Sequence, residues 1–311
     1  MAFSESRGAS AGGGRRPDLS TLLVAALIYG SWIAATLAAR RLPWPVVAAV
    51  GGWLIAWHGS LQHETIHGHP TRSRRANRLL GSPPLSLWLP YARYERLHLA
   101  HHSTEHLTLP GLDPESRYLG GGSSGLSRAT ARATQTLAGR LLVGPALEIG
   151  GFLASEARAF VRNEPGVRRA WTLHGLGVAL IAVWLAAVCR LSLVEYLLGF
   201  VYPGTALSLL RSFAEHRADP DRSRRIAIVE RAPLLGLLFL NNNLHAVHHA
   251  FPGASWRALP GLYGSRRDEL LAANGGLVYA GYGEVFRRFL LRPHDVLVHP
   301  QAAAQLEGAT P

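Results

Sequence analysis

The chain has no lysine; all 32 of its Lys and Arg positions are arginine. An all-arginine basic set reads as the codon bias of a GC-rich genome and carries no mechanism. Cysteine is almost absent as well. The single Cys189 excludes an intrachain disulfide and any thiolate cluster, so a metal site here must be built from nitrogen and oxygen. Charged residues are sparse at 17% while apolar residues reach 48%, which is rich for a soluble enzyme of ordinary composition. No zinc-finger, helix-turn-helix or RNA-binding motif accompanies the net charge of +12. Nucleic acid is therefore the weakest explanation of that charge, behind anionic lipid and an acidic protein partner.

Mean hydropathy is only +0.09, so membrane spans require the apolar residues to be gathered into segments. They are. Residues 20–39 carry no charge, and 20 residues of helix reach about 30 Å, the thickness of a hydrocarbon core. Arg15 and Arg16 precede this run as they would a signal peptide, but it is too long for one and a second span follows at once. That second span is 43–62, with Trp53 and Trp57 toward its far end. A second pair is expected at 171–189 and 192–210, separated by Arg190.

The apolar stretches 80–90 and 232–240 are too short to cross. Residues 119–126 read as a flexible loop, and 137–160 as an amphipathic helix on the membrane surface. The segments 1–18 and 300–311 are expected to be disordered tails around one domain, 19–299. Four spans put both long polar regions on one side. Most of the arginines lie there, which makes that side cytoplasmic. The predicted fold is thus all-α integral membrane: four transmembrane helices and a cytoplasmic helical cap.

The cap segments carry the chemistry. His63 and His67 lie in HETIH, just past the second span; His98, His101 and His102 in HLAHH; His245, His248 and His249 in HAVHH. On a helix, positions i, i+3 and i+4 share a face, so each cluster can turn its imidazoles toward one point. His216, six residues beyond the fourth span, makes a ninth. One ion cannot take so many ligands, whereas two can share them. A nitrogen-held metal pair beside a membrane suits oxygen activation better than hydrolysis.

HETIHGH, LHLAHHSTEH and NNNLHAVHHAFP resemble the three histidine boxes of the membrane fatty acid desaturase superfamily, in its short bacterial form. The resemblance runs from the first span to Pro252. It implies two non-haem irons, dioxygen, and the nine histidines above as ligands, with no catalytic residue beyond them. It also implies a multi-pass protein of a bacterial cytoplasmic membrane, acting on a fatty acyl or similar aliphatic substrate. Hydroxylation or ketolation, or desaturation of a small amino-acid-derived metabolite, stay open as alternatives. No HPGG haem motif is present, so the resemblance implies a separate electron donor of ferredoxin or cytochrome b5 type. Some members carry asparagine four residues before the isolated histidine, where this chain has Ser212.

Acceptors that would orient the imidazoles are expected among Glu95, Glu105, Asp113, Glu215, Asn241 and Asn242. Arg93, Arg96 and Arg217 are candidates for holding a polar head or docking an acidic donor. The sharpest rival is HExxH, a zinc-protease signature with Glu64 as general base, but it leaves both HxxHH clusters unexplained. A metal transporter should hold its ligands near the bilayer midplane, and these histidines fall outside the spans.

Overall fold

The computed structural model describes residues 17–120 and 122–302. Helix α1, Leu19–Ala38, starts at Asp18, whose carboxylate accepts from Ser20 N at 3.0 Å and Thr21 Oγ1 at 3.1 Å. The expected N-terminal tail therefore ends before Asp18, and residues 1–16 lie outside the described part. A short 3₁₀ turn, Ala39–Arg41, leads to α2, Trp44–Ile66, which has Pro45 in its first turn. The cap then supplies α3 (Arg74–Gly81), α4 (Tyr91–Ser103), α5 (Gly125–Ala133), α6 (Leu137–Leu142) and α7 (Gly144–Val161). The expected surface helix 137–160 is thus two helices that meet near Val143. Leu119, in the expected loop, pairs with the backbone of Leu297 and Val298.

Helix α8, Val167–Val183, continues as a π-helical turn through Cys189. A capping box of Ser192 and Glu195 opens the last rod, which is α9 (Leu193–Tyr196), a π-helical turn, and α10 (Tyr202–Glu215). Beyond it, β1 (Ile228–Arg231) pairs in parallel with β2 (Val278–Gly281). Helices α11 (Pro233–Leu238), α12 (His245–Ala250), α13 (Leu259–Ala273) and α14 (Tyr282–Phe289) complete the cap. Gln301 accepts from the buried Arg225 at 2.8 Å, so residues 300–302 are tied down; the remainder of the expected C-terminal tail, 303–311, is outside the described residues.

Among the described residues, three helical segments are long and apolar enough to cross a bilayer: Leu19–Arg41, Val167–Cys189 and Leu193–Glu215. Their outer faces are apolar, with Leu23, Leu27, Leu176, Leu180, Val194 and Leu198 exposed. Such faces are stable against lipid, and the chain is a membrane protein. The expected second span coincides with α2, which is long enough but differs in kind. Its last turns hold His58, Ser60, Gln62, His63, Glu64 and Thr65, all buried inside the bundle.

Helices α2 and α10 run in the same direction along a seam of small residues. A Cβ on Gly51 would lie 2.6 Å from Gly199 O, one on Gly52 2.8 Å from Pro203 Cβ, and one on Gly204 2.5 Å from Ile55 Cβ. Without a hydrophobic drive between helices in lipid, such close backbone approach supplies the packing. Polar contacts add to it. Trp32 Nε1 donates to the Tyr196 hydroxyl at 2.8 Å, and that hydroxyl donates to Leu85 O at 2.7 Å. Arg93 and Glu156, both buried, tie α4 to α7 through two 2.8 Å bonds.

Candidate metal centre

The nine histidines converge beyond the shared end of α2 and α10. They form two sets, His63, His67, His98, His102 and His248 in one, and His101, His216, His245 and His249 in the other. Within each set the facing ligand atoms lie within 4.8 Å of one another. Each HxxHH cluster is divided between the sets. On α4, His98 and His102 are one turn apart and enter the first, while His101 enters the second. On α12, His245 and His249 enter the second and His248 the first. The expectation that each cluster faces one point is corrected accordingly. Four residues of helix is slightly more than a turn, so i and i+4 share one target and i+3 takes another. His102 and His249 stack at 4.3 Å between ring centres where the sets adjoin.

The tautomers are set from behind. His98 Nδ1 donates to Glu115 Oε1 at 2.8 Å, His101 Nδ1 to Asp113 Oδ1 at 2.8 Å, and His245 Nδ1 to Asn242 Oδ1 at 3.1 Å. Glu215 Oε1 lies 3.3 Å from the same His245 nitrogen, and His216 Nδ1 lies 3.3 Å from Arg225 O. In each case Nε2 is left for the centre of its set. Three expected acceptors are placed elsewhere. Glu95 pairs with Arg78 and Arg74, Glu105 is exposed, and the Asn241 amide donates to Trp256 O. Glu115 had no place among the sequence candidates. Its signal was the GLDPE segment itself, two residues beyond Asp113. Ser212 donates to Leu209 O within its own helix.

These residues fit metal ions. His63 Nε2 and His101 Nε2, one in each set, are buried without a hydrogen-bond partner. Between His67 and His98 the Nε2 atoms are 3.0 Å apart, between His98 and His102 3.1 Å, and between His216 and His245 3.0 Å. Two nitrogens about 2.1 Å from one ion lie about 3.0–3.4 Å apart, so imidazoles gathered this closely can share an ion.

The electrostatics agree. Burial and then neighbouring imidazoles push His67 down to about 3, and burial and then His101 push His216 to about 3. His245, His248 and His249 are lowered well below the ordinary value for the same reasons. These shifts favour the neutral imidazole, the form a metal ligand needs. For His101 burial works the same way, but its hydrogen bond to Asp113 and the charge of Glu115 outweigh it and raise the group.

Glu64 turns away from both sets. Its carboxylate accepts from Trp256 N at 3.0 Å and groups with Asp18 and His69. An HExxH hydrolase would need it at the metal. The isolated His174, His294 and His299 bond to Leu87 O, the Tyr279 hydroxyl and the Thr108 hydroxyl. The three arginines flagged from sequence are engaged locally: Arg93 by Glu156, Arg96 by Pro165 O, and Arg217 by Arg224 O and Asp219.

Beside the centre lies a cavity of about 280 Å³ between α2, α4, α7 and α10, bordered by Ile55, His58, Trp88, Phe152, Thr205 and Arg211 among others. Glu115 and Glu215 border it and also touch His98 and His245, so the cavity reaches the centre.

The family model for fatty acid desaturase matches residues 40–281. The chain belongs to the fatty acid desaturase family and is an oxidoreductase of the membrane. No curated protein matches it.

Proposed function

We propose that the protein is a dioxygen-dependent desaturase with a di-iron centre, introducing a C=C bond into an aliphatic substrate. The observation that carries this reading is the sorting of nine imidazoles into two adjoining sets. His63, His67, His98, His102 and His248 would hold one iron; His101, His216, His245 and His249 the other. Two irons held there would let dioxygen take two hydrogens from a –CH2–CH2– unit and two electrons with two protons from a separate donor, giving an alkene and two waters.

The protein's own part is binding and placement. Asp113, Glu115 and Asn242 fix the imidazole rings, with Glu215 beside His245. The cavity between α2 and α10 holds the substrate carbon beside Glu115 and Glu215. In this reading α2 is the fourth span, its first turns facing lipid through Trp44, Val46 and Val50 and its later turns covered by its neighbours, and the cap faces the cytoplasm of a bacterial inner membrane. A ferredoxin-like or cytochrome b5-like protein supplies the electrons.

Metal analysis and turnover test the proposal together. Purified protein should carry about two irons per chain, and product should appear only with both dioxygen and a reductant. A single zinc per chain, or turnover under argon, overturns it.

A further inference from the structure

The cavity beside the metal centre is short for an acyl tunnel, and polar side chains interrupt its mainly apolar lining. On α2 it runs from Ile55 to Gln62, a rise of about 10 Å. Its volume of about 280 Å³ is just under the roughly 300–1,000 Å³ that encloses a drug-sized ligand. Ser60, Gln62, Ser86, Thr205, Ser208 and Ser212 border it alongside the apolar side chains. Its rim carries the ion pair Arg117–Glu148, at 2.6 Å, each partner about one-third exposed.

Three side chains around this one space hold buried polar atoms with no partner: His58 through both ring nitrogens, Trp88 through Nε1, and Arg211 through Nη1. Native interiors leave few such atoms unpaired, and three bordering one cavity point to a ligand that pairs with them. The charges define its kind. Glu115 is engaged by His98, Glu215 by His245 and by Arg211 Nε at 3.3 Å, and Glu148 by Arg117. Arg211, held by Glu215 through Nε, keeps Nη1 as a buried cationic N–H with no partner among the described residues, one turn before Glu215 and so beside the metal centre. His58 borders the cavity about 6 Å along α2 from Gln62, on the side away from the centre. An acyl tail lying there would set methylenes against the Trp88 N–H and the His58 ring, and leave both unpaired.

We propose that the substrate is a compact aliphatic acid, its carboxylate held by Arg211 and a second hydrogen-bonding group turned to Trp88 and His58. This rests on the desaturase reading only in taking the cavity as the place where substrate is oxidised. Arg211 then sets which end of the molecule lies at the metals, and Trp88 selects against a plain hydrocarbon tail.

Binding without turnover tests it. The iron-loaded full-length protein in lipid nanodiscs, under argon and without reductant, is titrated calorimetrically with ω-hydroxy acids of about four to eight carbons. The matching unsubstituted acids, the matching diols and oleate serve as comparisons. At least one ω-hydroxy acid should bind about tenfold or more tightly than its diol, as expected for a charged hydrogen bond. Arg211→Gln should shrink that ratio to near one. Trp88→Phe, which keeps the ring and removes the N–H, should erase the preference for the ω-hydroxy acid over the plain acid, and decides the matter if Arg211→Gln does not fold. Saturable binding of oleate with none by the short acids overturns the proposal, as does an acid-to-diol ratio unmoved by Arg211→Gln. No electrons are supplied, so an acid that binds here and is never desaturated counts against the desaturase reading alone. Desaturation of bilayer acyl chains without short-acid binding counts against this proposal alone.

Discussion

Asp113→Asn is a small change that would separate the two proposed metal positions. The Asp113 carboxylate accepts from His101 Nδ1 at 2.8 Å, from Thr108 N at 2.7 Å and from Glu115 N at 2.9 Å. It is 4% exposed, so water cannot substitute for a lost partner. Asparagine keeps the shape but brings one oxygen and an NH2 group, so a donor must then face either His101 or Thr108. The negative charge that raises His101 is lost as well. Losing such a partner behind a ligand weakens metal affinity about 10- to 100-fold, or about 1.4–2.8 kcal/mol. His101 belongs only to the second set, so the loss should fall on one ion. Under a mild chelator the variant should keep about one iron per chain where the unaltered protein keeps about two, with turnover lost in step. A variant that holds both irons as tightly as before would refute the assignment of His101 and the role of its carboxylate.

Other outcomes follow from the same geometry. His101→Ala and His248→Ala should each abolish turnover while the protein still inserts and purifies, with iron content reporting the cause. Glu64→Gln keeps the acceptor for Trp256 N, so it should leave iron content and turnover near normal; a loss of two orders of magnitude or more would revive the hydrolase reading. Arg93→Met strands the buried Glu156 and should destabilise the protein by about 3–5 kcal/mol, read from unfolding in mixed micelles. Acid should weaken binding at the second set first through His101, which is raised while His216, His245 and His249 are lowered. Affinity there should therefore rise with pH and fall as acid protonates His101; calorimetry in two buffers of different ionisation enthalpy measures any proton released.

The histidines were legible because their spacing is local. Positions i, i+3 and i+4 on one helix are neighbours whatever surrounds them, and three such segments after apolar runs already define a convergent site. Which set each part of an HxxHH cluster would join was not legible, since that depends on how α4 and α12 are rotated about their axes, which distant packing decides. Acceptors divided along the same line. Asp113, Glu215 and Asn242 do meet imidazoles, whereas Glu95 is drawn off by Arg74 and Arg78 of α3, a contact that no local pattern encodes. Spans on the lipid face announced themselves through uniform hydropathy. Helix α2 carries polar residues at its cap end because other helices cover it, so composition alone understates its length. The π-helical turns at Trp184–Cys189 and Leu197–Val201 leave no comparable mark in the sequence.

The seam between α2 and α10 also acts as a ruler. Space between the two helices opens only from the level of Ile55 and Thr205, because before it Gly51 and Gly52 meet Gly199, Pro203 and Gly204 almost main chain to main chain. Below the Ile55 and Thr205 side chains that close the cavity, the two helices thus pack largely peptide against peptide. Trimming those side chains could deepen the space only slightly; going further would require parting two helices.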